Sequence, residues 1–212
     1  MKGVNTVNTN TVCISKGNRK MGAIPSVSLP PIITCPKGCP CSAKCYAAKM
    51  CRIYPTVKAS YNRNLDILNN NWDEYWSQVR TAIRMTKYFR FHVSGDIPNA
   101  SYFKEMVITA KANPGTHILA FTKQYDIVNH YIDTFGELPE NLHLIFSMWD
   151  NAWNANIHNP HNLPMSAVIF KGAEWKADYI DKICGGNCSE CACRGVGCWE
   201  LQKGETIGFY EH

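Results

Sequence analysis

Strand-like and helix-like segments alternate through the middle of the chain, and this alternation restricts the fold more than any other feature of the sequence. Apolar, β-branched stretches predict strands, and apolar residues at helical spacing predict helices. Strands are predicted at 87–96, 117–123, 142–150 and 166–172, with helices at 99–113 and 125–136. Strands joined by such helices pair in parallel through right-handed crossovers. We therefore predict an α/β fold with mainly parallel strands, either a partial or small β/α barrel or a short doubly wound sheet.

The other segments fit a single domain. Residues 1–34 are predicted to be irregular or to form short strands, and residues 56–86 to be helical with a break at the asparagines of 69–71. No linker or internal repeat divides the 212 residues, and one domain of about this length buries roughly 70% of its unfolded surface. We expect one domain, 1–212, made of an N-terminal Cys loop (35–51), a β/α core (56–172) and a C-terminal Cys cluster (184–198).

The composition is typical of a globular cytoplasmic protein without a membrane partner. No apolar run approaches the roughly 20 residues that span a bilayer, and the N-terminus lacks the apolar region of a secretory signal. The formal net charge is +5, and the basic residues are scattered except for "KGNRK" at 16–20. This charge permits a nucleic-acid partner without arguing for one.

Eleven cysteines are the second strong feature of the sequence. Cys13 stands alone and is predicted to be a buried free thiol. The other ten form two groups: Cys35, Cys39, Cys41, Cys45 and Cys51 near one terminus, and Cys184, Cys188, Cys191, Cys193 and Cys198 near the other. Close spacing brings several thiolates to one centre at little cost in loop closure. All ten are therefore predicted metal ligands.

Disulfides, zinc and iron–sulfur clusters are the three chemistries that explain such groups. A cytoplasmic chain of this length argues against a disulfide framework. Structural zinc sites favour paired C-x2-C knuckles, and only Cys188 and Cys191 form one. Cluster-binding loops place several cysteines in an irregular segment, and both groups here are rich in Gly or Pro. The pattern favours iron–sulfur clusters, with zinc as the alternative.

Polar residues follow the predicted strands, at the edge where β/α folds build their sites. His92 is predicted to be a hydrogen-bonded core residue, and Asp96 also suits a turn or a helix N-cap. The segment 148–154 is interpreted as an aromatic packing anchor, with base stacking as the alternative. The predicted cofactor-binding residues are Ser94, Gly95, Asp96, Thr122 and Lys123, and later strand ends carry Ser147, Met148, Asp150 and Lys171.

Five short motifs occur in order between about Ser28 and Trp199: "VSLPPIITCP", "CSAKCYAAK", "FRFHVSGDI", "ILAFTKQ" and "CSECACRGVGCW". Each is common alone, but together they resemble the phage gene product eighty-eight family. The resemblance implies a phage or mobile-element protein in the host cytoplasm that carries iron–sulfur chemistry. In that family's pattern, the N-terminal element is matched by Cys35, Cys41 and Cys45, and the C-terminal one by Cys184, Cys188, Cys191 and Cys198.

The family is similar in turn to radical S-adenosylmethionine enzymes, which bind a [4Fe–4S] cluster through C-x3-C-x2-C and their cofactor at a Gly-rich turn. "HVSGD", at 92–96, resembles that turn and implies S-adenosylmethionine as a cofactor. The Cys loop departs from the pattern. After "CPKGC" the next cysteine comes one residue later rather than two, and Ala47 stands where "CSAKCYA" would need a third cysteine.

Three functional hypotheses follow. The first is an iron–sulfur enzyme with one or two [4Fe–4S] clusters held by Cys groups that meet over one rim of the barrel. Its chemistry would be radical-SAM-like, an oxidoreductase or transferase reaction on a nucleotide, a nucleic acid or a small molecule. The second is a non-catalytic iron–sulfur protein with a structural role or an electron donor as its partner. The third is a zinc-stabilised nucleic-acid-binding module. No P-loop, dinucleotide fingerprint or Ser-His-Asp pattern supports a common hydrolase or dehydrogenase.

Overall fold

The structure is a computed structural model that describes residues 10–172 and 179–211, apart from the side chain of Asn151. The first part of the segment predicted as irregular, 1–9, lies outside these residues. The described strands are β1 (Ile14–Ser15), β2 (Ser26–Val27), β3 (Tyr88–Phe91), β4 (His117–Thr122), β5 (Leu142–Ser147), β6 (Met165–Ile169), β7 (Lys182–Ile183) and β8 (Thr206–Tyr210). The described helices are α1 (Tyr46–Ile53), α2 (Pro55–Asn70), α3 (Trp72–Arg84), α4 (Ala100–Ala112), α5 (Tyr125–Phe135), α6 (Asn151–Asn154) and α7 (Cys188–Arg194). Further segments, Pro40–Lys44 and Gly197–Trp199, are 3-10 helices.

These strands form one sheet in the order β1-β2-β3-β4-β5-β6-β8-β7. Only β1 and β2 are antiparallel, and the other neighbouring pairs in the described chain are parallel. From β2 to β6, neighbours in the sheet are also neighbours along the chain, as helical crossovers on a single face require. The predicted α/β class with mainly parallel strands is confirmed. The sheet is open, with β1 and β7 at its two ends, so a closed barrel is not observed.

The two faces of the sheet have different partners because side chains alternate along each strand. Phe89 and Phe91 belong to the main core, which is built with helices α2 to α5. The intervening positions, such as Tyr88, Leu119 and Phe121, belong to a second cluster on the other face, which we call the inner face. The segment from α7 to Leu201 packs on this inner face, so the C-terminal cysteines are brought onto the sheet.

The parallel strands also give the sheet two distinct edges. At the carboxyl edge, where strands β2 to β6 end, the chain leaves β2 and enters the first Cys loop. At the amino edge, where these strands begin, residues 16–25 connect the antiparallel pair β1 and β2. The edge of the sheet at which a residue lies therefore determines which of the two Cys groups is near it.

Most predicted elements are present close to their predicted limits. The helical segment 56–86 is divided at Asn71 into α2 and α3, as the run of asparagines predicted. The strand predicted to run to 96 ends at Phe91, because His92 has a φ of 57° and leaves the extended conformation. Strands β7 and β8, which flank the second Cys group, were not predicted. None of the described helices combines the length and the apolar character that a bilayer crossing requires.

Candidate metal centres

The turn after β3 holds the first Cys loop against the carboxyl edge. Leu29 N donates to the Ser94 carbonyl at 3.0 Å, and Asp96 N donates to Thr34 Oγ1 at 3.3 Å. Gly95 has a φ of 77°, and a Cβ at this position would lie 2.5 Å from Thr34 Oγ1 and 2.8 Å from the Leu29 carbonyl oxygen. Glycine alone allows this approach. Because Thr34 directly precedes the first cysteine of the loop, the turn positions that cysteine.

The Asp96 carboxylate joins the ends of β3 and β4. Its Oδ1 accepts from Thr122 Oγ1 at 2.6 Å and from Ile97 N at 2.7 Å, and its Oδ2 accepts from Lys123 N at 2.8 Å. Burial raises the pKa of Asp96 above that of an ordinary carboxyl, and these donors oppose the shift. Asp96 therefore holds the carboxyl ends of β3 and β4 together through these hydrogen bonds. The N-cap of the following helix is Asn99 rather than Asp96.

Four thiols of the first Cys group lie together over this edge: Cys35, Cys39, Cys41 and Cys45. Burial raises the pKa of Cys35 to about 11, and the Cys41 and Cys45 thiols add to that shift. The Sγ atoms of Cys39 and Cys41 are 3.2 Å apart. The hydrogen bond from Cys41, helped by the charge of Lys123, lowers the pKa of Cys39 to about 7, while the pKa of Cys41 is raised. Cys39 is therefore the sulfur of this pair that loses its proton first. We call these four residues the first thiol group.

Groups that favour thiolates surround the first thiol group. The charge of Lys123 acts on the close pair of sulfurs, and Ala48 N donates to Cys45 Sγ at 3.4 Å. The Tyr46 hydroxyl donates to the Val93 carbonyl, which fixes the start of α1 over the end of β3. A nearby cation and a backbone amide both lower the energy of a thiolate. The hydrogen bond from Cys41 and the charge of Lys123 therefore favour a negatively charged sulfur at Cys39, whereas burial favours the protonated thiol at Cys35.

Three buried polar atoms on β3 and its following turn have no hydrogen-bond partner among the described residues: Nε of Arg90, Nδ1 of His92 and Oγ of Ser94. The other ring nitrogen of His92 lies 3.1 Å from Tyr102 Oη. Burial lowers the pKa of His92 to about 3, so the ring is neutral at physiological pH. Buried polar atoms without partners are costly and uncommon. Their position leading to the first thiol group suits a polar ligand there.

The second thiol group, Cys184, Cys188, Cys191 and Cys198, lies on the inner face. Burial, together with the other three thiols, raises the pKa of Cys198 to about 12, and the charge of Arg90 opposes this shift. Gly186 N donates to Cys184 Sγ at 3.4 Å. Cys193 is exposed and lies roughly 200° around α7 from Cys191. Four of the five predicted C-terminal ligands therefore converge.

Aromatic and histidine rings hold this second group on the sheet. Trp199 packs edge-on against Tyr88 at a centroid distance of 5.0 Å and against His143 at 5.9 Å. His117 stacks between the same two rings, and its Nδ1 lies 3.0 Å from His143 Nε2. The Tyr88 hydroxyl donates to the Ala192 carbonyl at 3.1 Å. These rings belong to the first residues of β3 to β5, so they place α7 near the amino edge.

The two thiol groups lie at opposite edges of the inner face, and not over one rim as the sequence led us to expect. Cys188 N donates to the Lys20 carbonyl at 3.0 Å, in the connection at the amino edge. Arg90 lies between the groups. Its Nη1 is 3.9 Å from Cys188 Sγ, and its charge also acts on Tyr46 beside the first thiol group. The C-terminal segment therefore builds a site of its own.

The cysteines of each thiol group are the kind of ligand that iron–sulfur clusters use. Across the described parts of the chain, no three His, Cys, Asp or Glu side chains are already arranged around a single metal ion. A four-iron cluster is larger than one ion and is held by Cys thiolates from irregular loops. Each thiol group offers four such sulfurs, with Lys123 near the first and Arg90 near the second.

Two predicted ligands stand apart from these groups. Cys51 is affected by Cys45 alone among the thiols, and by Lys58, and Cys193 is exposed. Cys13 is a free thiol as predicted, but it is half-buried, and Arg63 Nη1 lies 3.6 Å from its sulfur.

The predicted cofactor-binding residues all lie at the carboxyl edge, and the aromatic segment after β5 serves packing. Trp153 Nε1 donates to Tyr125 Oη at 2.9 Å, and Asp150 caps α6 by accepting from Trp153 N at 2.9 Å. Sequence reasoning missed Arg90 and Thr34. A charged residue between apolar neighbours in a strand is the signal that could have identified Arg90. Nothing in the sequence singles out Thr34.

A family model described as Gene product 88 matches residues 5–201 of the chain. The matched region contains both thiol groups and strands β1 to β7, and β8 follows it. No curated protein and no solved structure is similar enough to match.

Proposed function

The chain belongs to the Gene product 88 family, and we propose that it is an iron–sulfur protein with one cluster at each thiol group. The observation that carries the proposal is the convergence of Cys35, Cys39, Cys41 and Cys45 beside Lys123. This convergence lies at the carboxyl edge, where parallel sheets with helical crossovers hold their ligands.

The local chain around the thiols supports iron–sulfur clusters over zinc. Cys39 and Cys41 are separated by a single residue, and Pro36, Gly38 and Pro40 make the loop irregular. Zinc knuckles instead use C-x2-C pairs, which turn two thiolates toward one tetrahedral ion. In both groups a backbone amide donates to a sulfur, and hydrogen bonds to sulfur are a main control on cluster potential.

The two sites have different surroundings, which suits different roles. The second thiol group is half-buried beside Trp199 and Arg90, a position suited to storing or relaying an electron. The first thiol group belongs to the loop that is hydrogen-bonded to the turn at Ser94, whose Oγ has no hydrogen-bond partner among the described residues, and this arrangement suits chemistry on a ligand. The clusters, when bound, would supply one-electron transfer. Lys123 and Arg90 would stabilise the negative charge of the thiolates.

A small cofactor beside the first thiol group is the second part of the proposal, and S-adenosylmethionine is our candidate. It is favoured by the unpartnered Ser94 Oγ and His92 Nδ1, together with the resemblance of "HVSGD" to a cofactor-binding turn. Gly95 and Asp96 would act as positioning residues, since their contacts are made within the protein. Ser94 and Lys123 have polar atoms that could reach the cofactor.

Anaerobic purification followed by iron, sulfide and zinc analysis tests the cluster proposal. We expect a brown protein with about eight irons and eight sulfides per chain, the content of two four-iron clusters. A colourless protein with stoichiometric zinc would contradict the proposal and favour the zinc-stabilised alternative. About four irons per chain would restrict the proposal to one site.

The cofactor is tested by adding S-adenosylmethionine to the reduced protein. We expect a changed electron paramagnetic resonance signal of the first cluster and formation of 5′-deoxyadenosine. Lys123→Gln and Ser94→Ala should weaken the spectral change, whereas Lys111→Gln, an exposed lysine on α4, should leave it unchanged. If the spectrum of the iron-loaded protein does not respond to S-adenosylmethionine, the cluster proposal stands and the cofactor proposal is wrong.

A further inference from the structure

Acidic residues are absent from the whole N-terminal part of the chain. The first Asp or Glu is Asp66, whereas ten of the 22 Lys and Arg residues precede it. Residues 1–65 therefore carry a formal charge of +10, and residues 66–212 a formal charge of −5. The modest net charge of +5 hides this segregation. A protein whose net positive charge lies in one segment attracts polyanions to that segment.

In the described part of this segment, helix α1 has an exposed face that carries aromatic, apolar and basic side chains. Tyr46, Lys49 and Ile53 lie at i, i+3 and i+7 of α1 and so share one side of the helix. Tyr46 is 54% exposed and Ile53 52% exposed, and Tyr54, which follows the helix, is 48% exposed. Large apolar and aromatic side chains this exposed in a contiguous patch mark an interaction site.

Cations flank these side chains and are not engaged within the protein. Lys49, Arg52 and Lys58 are exposed, and none of them forms an ion pair in the parts of the chain that the structure describes. Lys58 is close enough to α1 to act on Cys51. Together these residues form what we call the α1 surface: Tyr46, Lys49, Arg52, Ile53, Tyr54 and Lys58.

We propose that the α1 surface binds single-stranded nucleic acid. Unpaired Lys and Arg spaced along α1 and the start of α2 match the repeating charge of a phosphate backbone, and the exposed tyrosine rings between them match its bases. This combination of a positive surface and aromatic platforms is the one that binds single strands, because every base offers a face to stack on. Residues 1–65 contain no Asp or Glu, so the segment that carries this surface brings no carboxylate of its own to repel phosphates.

A single strand fits this surface better than a duplex does. Bases in a duplex are already stacked on one another, so exposed tyrosine rings would find no free base face. The α1 surface also directly follows the first thiol group, since Cys45 caps α1. A bound strand would thus lie next to the carboxyl edge. The proposal goes beyond the clusters and does not depend on them.

Fluorescence anisotropy with labelled oligothymidylate and oligouridylate of about 20 nucleotides tests the proposal, since one binding fold covers roughly 4–16 nucleotides. We expect saturable binding of one or both at low salt, and the preference between them identifies DNA or RNA. If three cations contact phosphates, the slope of log affinity against log salt should be about −2. A labelled duplex of the same length should bind more weakly.

Variants of the surface separate this site from general charge attraction. Lys49→Gln with Arg52→Gln should reduce affinity and flatten the salt slope by about 1.4, the share of two phosphate contacts on single strands. The matched control is Arg84→Gln with Lys111→Gln, which removes one exposed arginine and one exposed lysine from other helices and should change neither. Tyr54→Ala should reduce affinity at least about fivefold through lost stacking, whereas Tyr54→Phe should retain it.

Several results would overturn the proposal. One is no saturable binding of either oligonucleotide at low salt by protein whose circular dichroism and melting match the folded state. Another is an equal loss of affinity in the control pair, which would show that net charge alone is responsible. A third is binding to polyglutamate or to anionic lipid vesicles without binding to the oligonucleotides, which would assign the surface to an acidic protein or to a membrane.

Discussion

Single residues in the turn after β3 set the distance between the sheet and the first Cys loop. The Thr34 hydroxyl donates to the Pro30 carbonyl at 2.8 Å and accepts from Asp96 N at 3.3 Å, so one side chain closes the loop and attaches it to the turn. Gly95 allows the approach because it has no Cβ. The position of the first thiol group therefore depends on residues outside the group.

Replacement of Gly95 by alanine should destabilise the protein by about 3 kcal/mol or more, because left-handed strain is joined by a clash with backbone. The added Cβ would meet the Leu29 carbonyl oxygen at 2.8 Å. Gly195→Ala is the matched control. Gly195 is also left-handed, with a φ of 59°, but an added Cβ would meet nothing within 4 Å. Its cost should be roughly 1–2 kcal/mol. Urea denaturation measures both, and equal losses would show that the close contact at Gly95 is unimportant.

His143 should make stability depend on pH between about 4 and 6.5. Burial, together with the charge of His117, lowers the pKa of His143 to about 4. In this window the unfolded chain binds a proton that the folded protein does not, so the free energy of unfolding rises with pH. One proton corresponds to a slope of about 1.4 kcal/mol per pH unit.

His143→Gln should therefore flatten the dependence of stability on pH by up to that slope. The test is urea denaturation of the metal-free protein at several pH values. His130→Gln is the control, because His130 is exposed on α5 and should leave the slope unchanged. An unchanged slope in His143→Gln would mean that this ring titrates alike in the folded and unfolded chains.

At the scale of elements, α4 links the main core to the end of β3. Its N-cap Asn99 accepts from Tyr102 N at 2.9 Å. The Tyr102 hydroxyl then lies 3.1 Å from His92 Nε2 and 3.0 Å from Tyr75 Oη, so the first turn of the helix holds the buried histidine. The helix start therefore affects the residues beside the first thiol group.

Loss of this cap should cost about 1 kcal/mol of stability. We expect Asn99→Ala to show the loss in thermal or urea denaturation, and Asn99→Asp, which keeps an accepting oxygen, to restore most of it. Asn62→Ala provides the comparison, because Asn62 is exposed within α2, where alanine favours the helix. If all three variants unfolded alike, the Asn99 hydrogen bond would not stabilise α4.

Elements were predictable where a local pattern determines them. The helices α2 to α5 and the strands β3 to β6 follow from apolar periodicity and from breaks such as Asn71. The early end of β3 was not predictable, because it depends on the positive φ of His92 in a buried site. β7 has only two residues, and Gly208 interrupts the strand pattern of β8 at its centre, so their own residues carry little signal.

The candidate site was predictable in its residues but not in its arrangement. The thiols and the residues at the strand ends could be selected from the sequence, since their types and spacing are informative. The C-terminal segment crosses an edge of the sheet that is set by contacts between residues far apart in sequence. The contact of Tyr88 with the Ala192 carbonyl is one of them. Those contacts place the two thiol groups apart. They also identify Arg90 as the cation between them.

At the scale of the whole molecule, helices cover one face of the sheet and the thiol-bearing segments lie over the other. The first thiol group follows β2 at the carboxyl edge, and the second is tied to the connection at the amino edge through Lys20. Neither group shares a ligand with the other. Two sites at opposite edges should load with metal independently, because mutations without shared partners act additively.

Two double variants test that independence. Cys35→Ser with Cys41→Ser should remove the iron of the first thiol group and leave about half of the iron in the protein, and Cys188→Ser with Cys198→Ser should remove the other half. Iron analysis and electron paramagnetic resonance should show two different residual signals, one from each double variant. Cys13→Ser with Cys193→Ser is the matched control, since these thiols lie outside both groups, and it should retain all of the iron. Loss of all iron in either test variant, with the fold intact by circular dichroism, would show that the ends of the chain build one shared centre. In that case Arg90 would lie beside that centre and not between two.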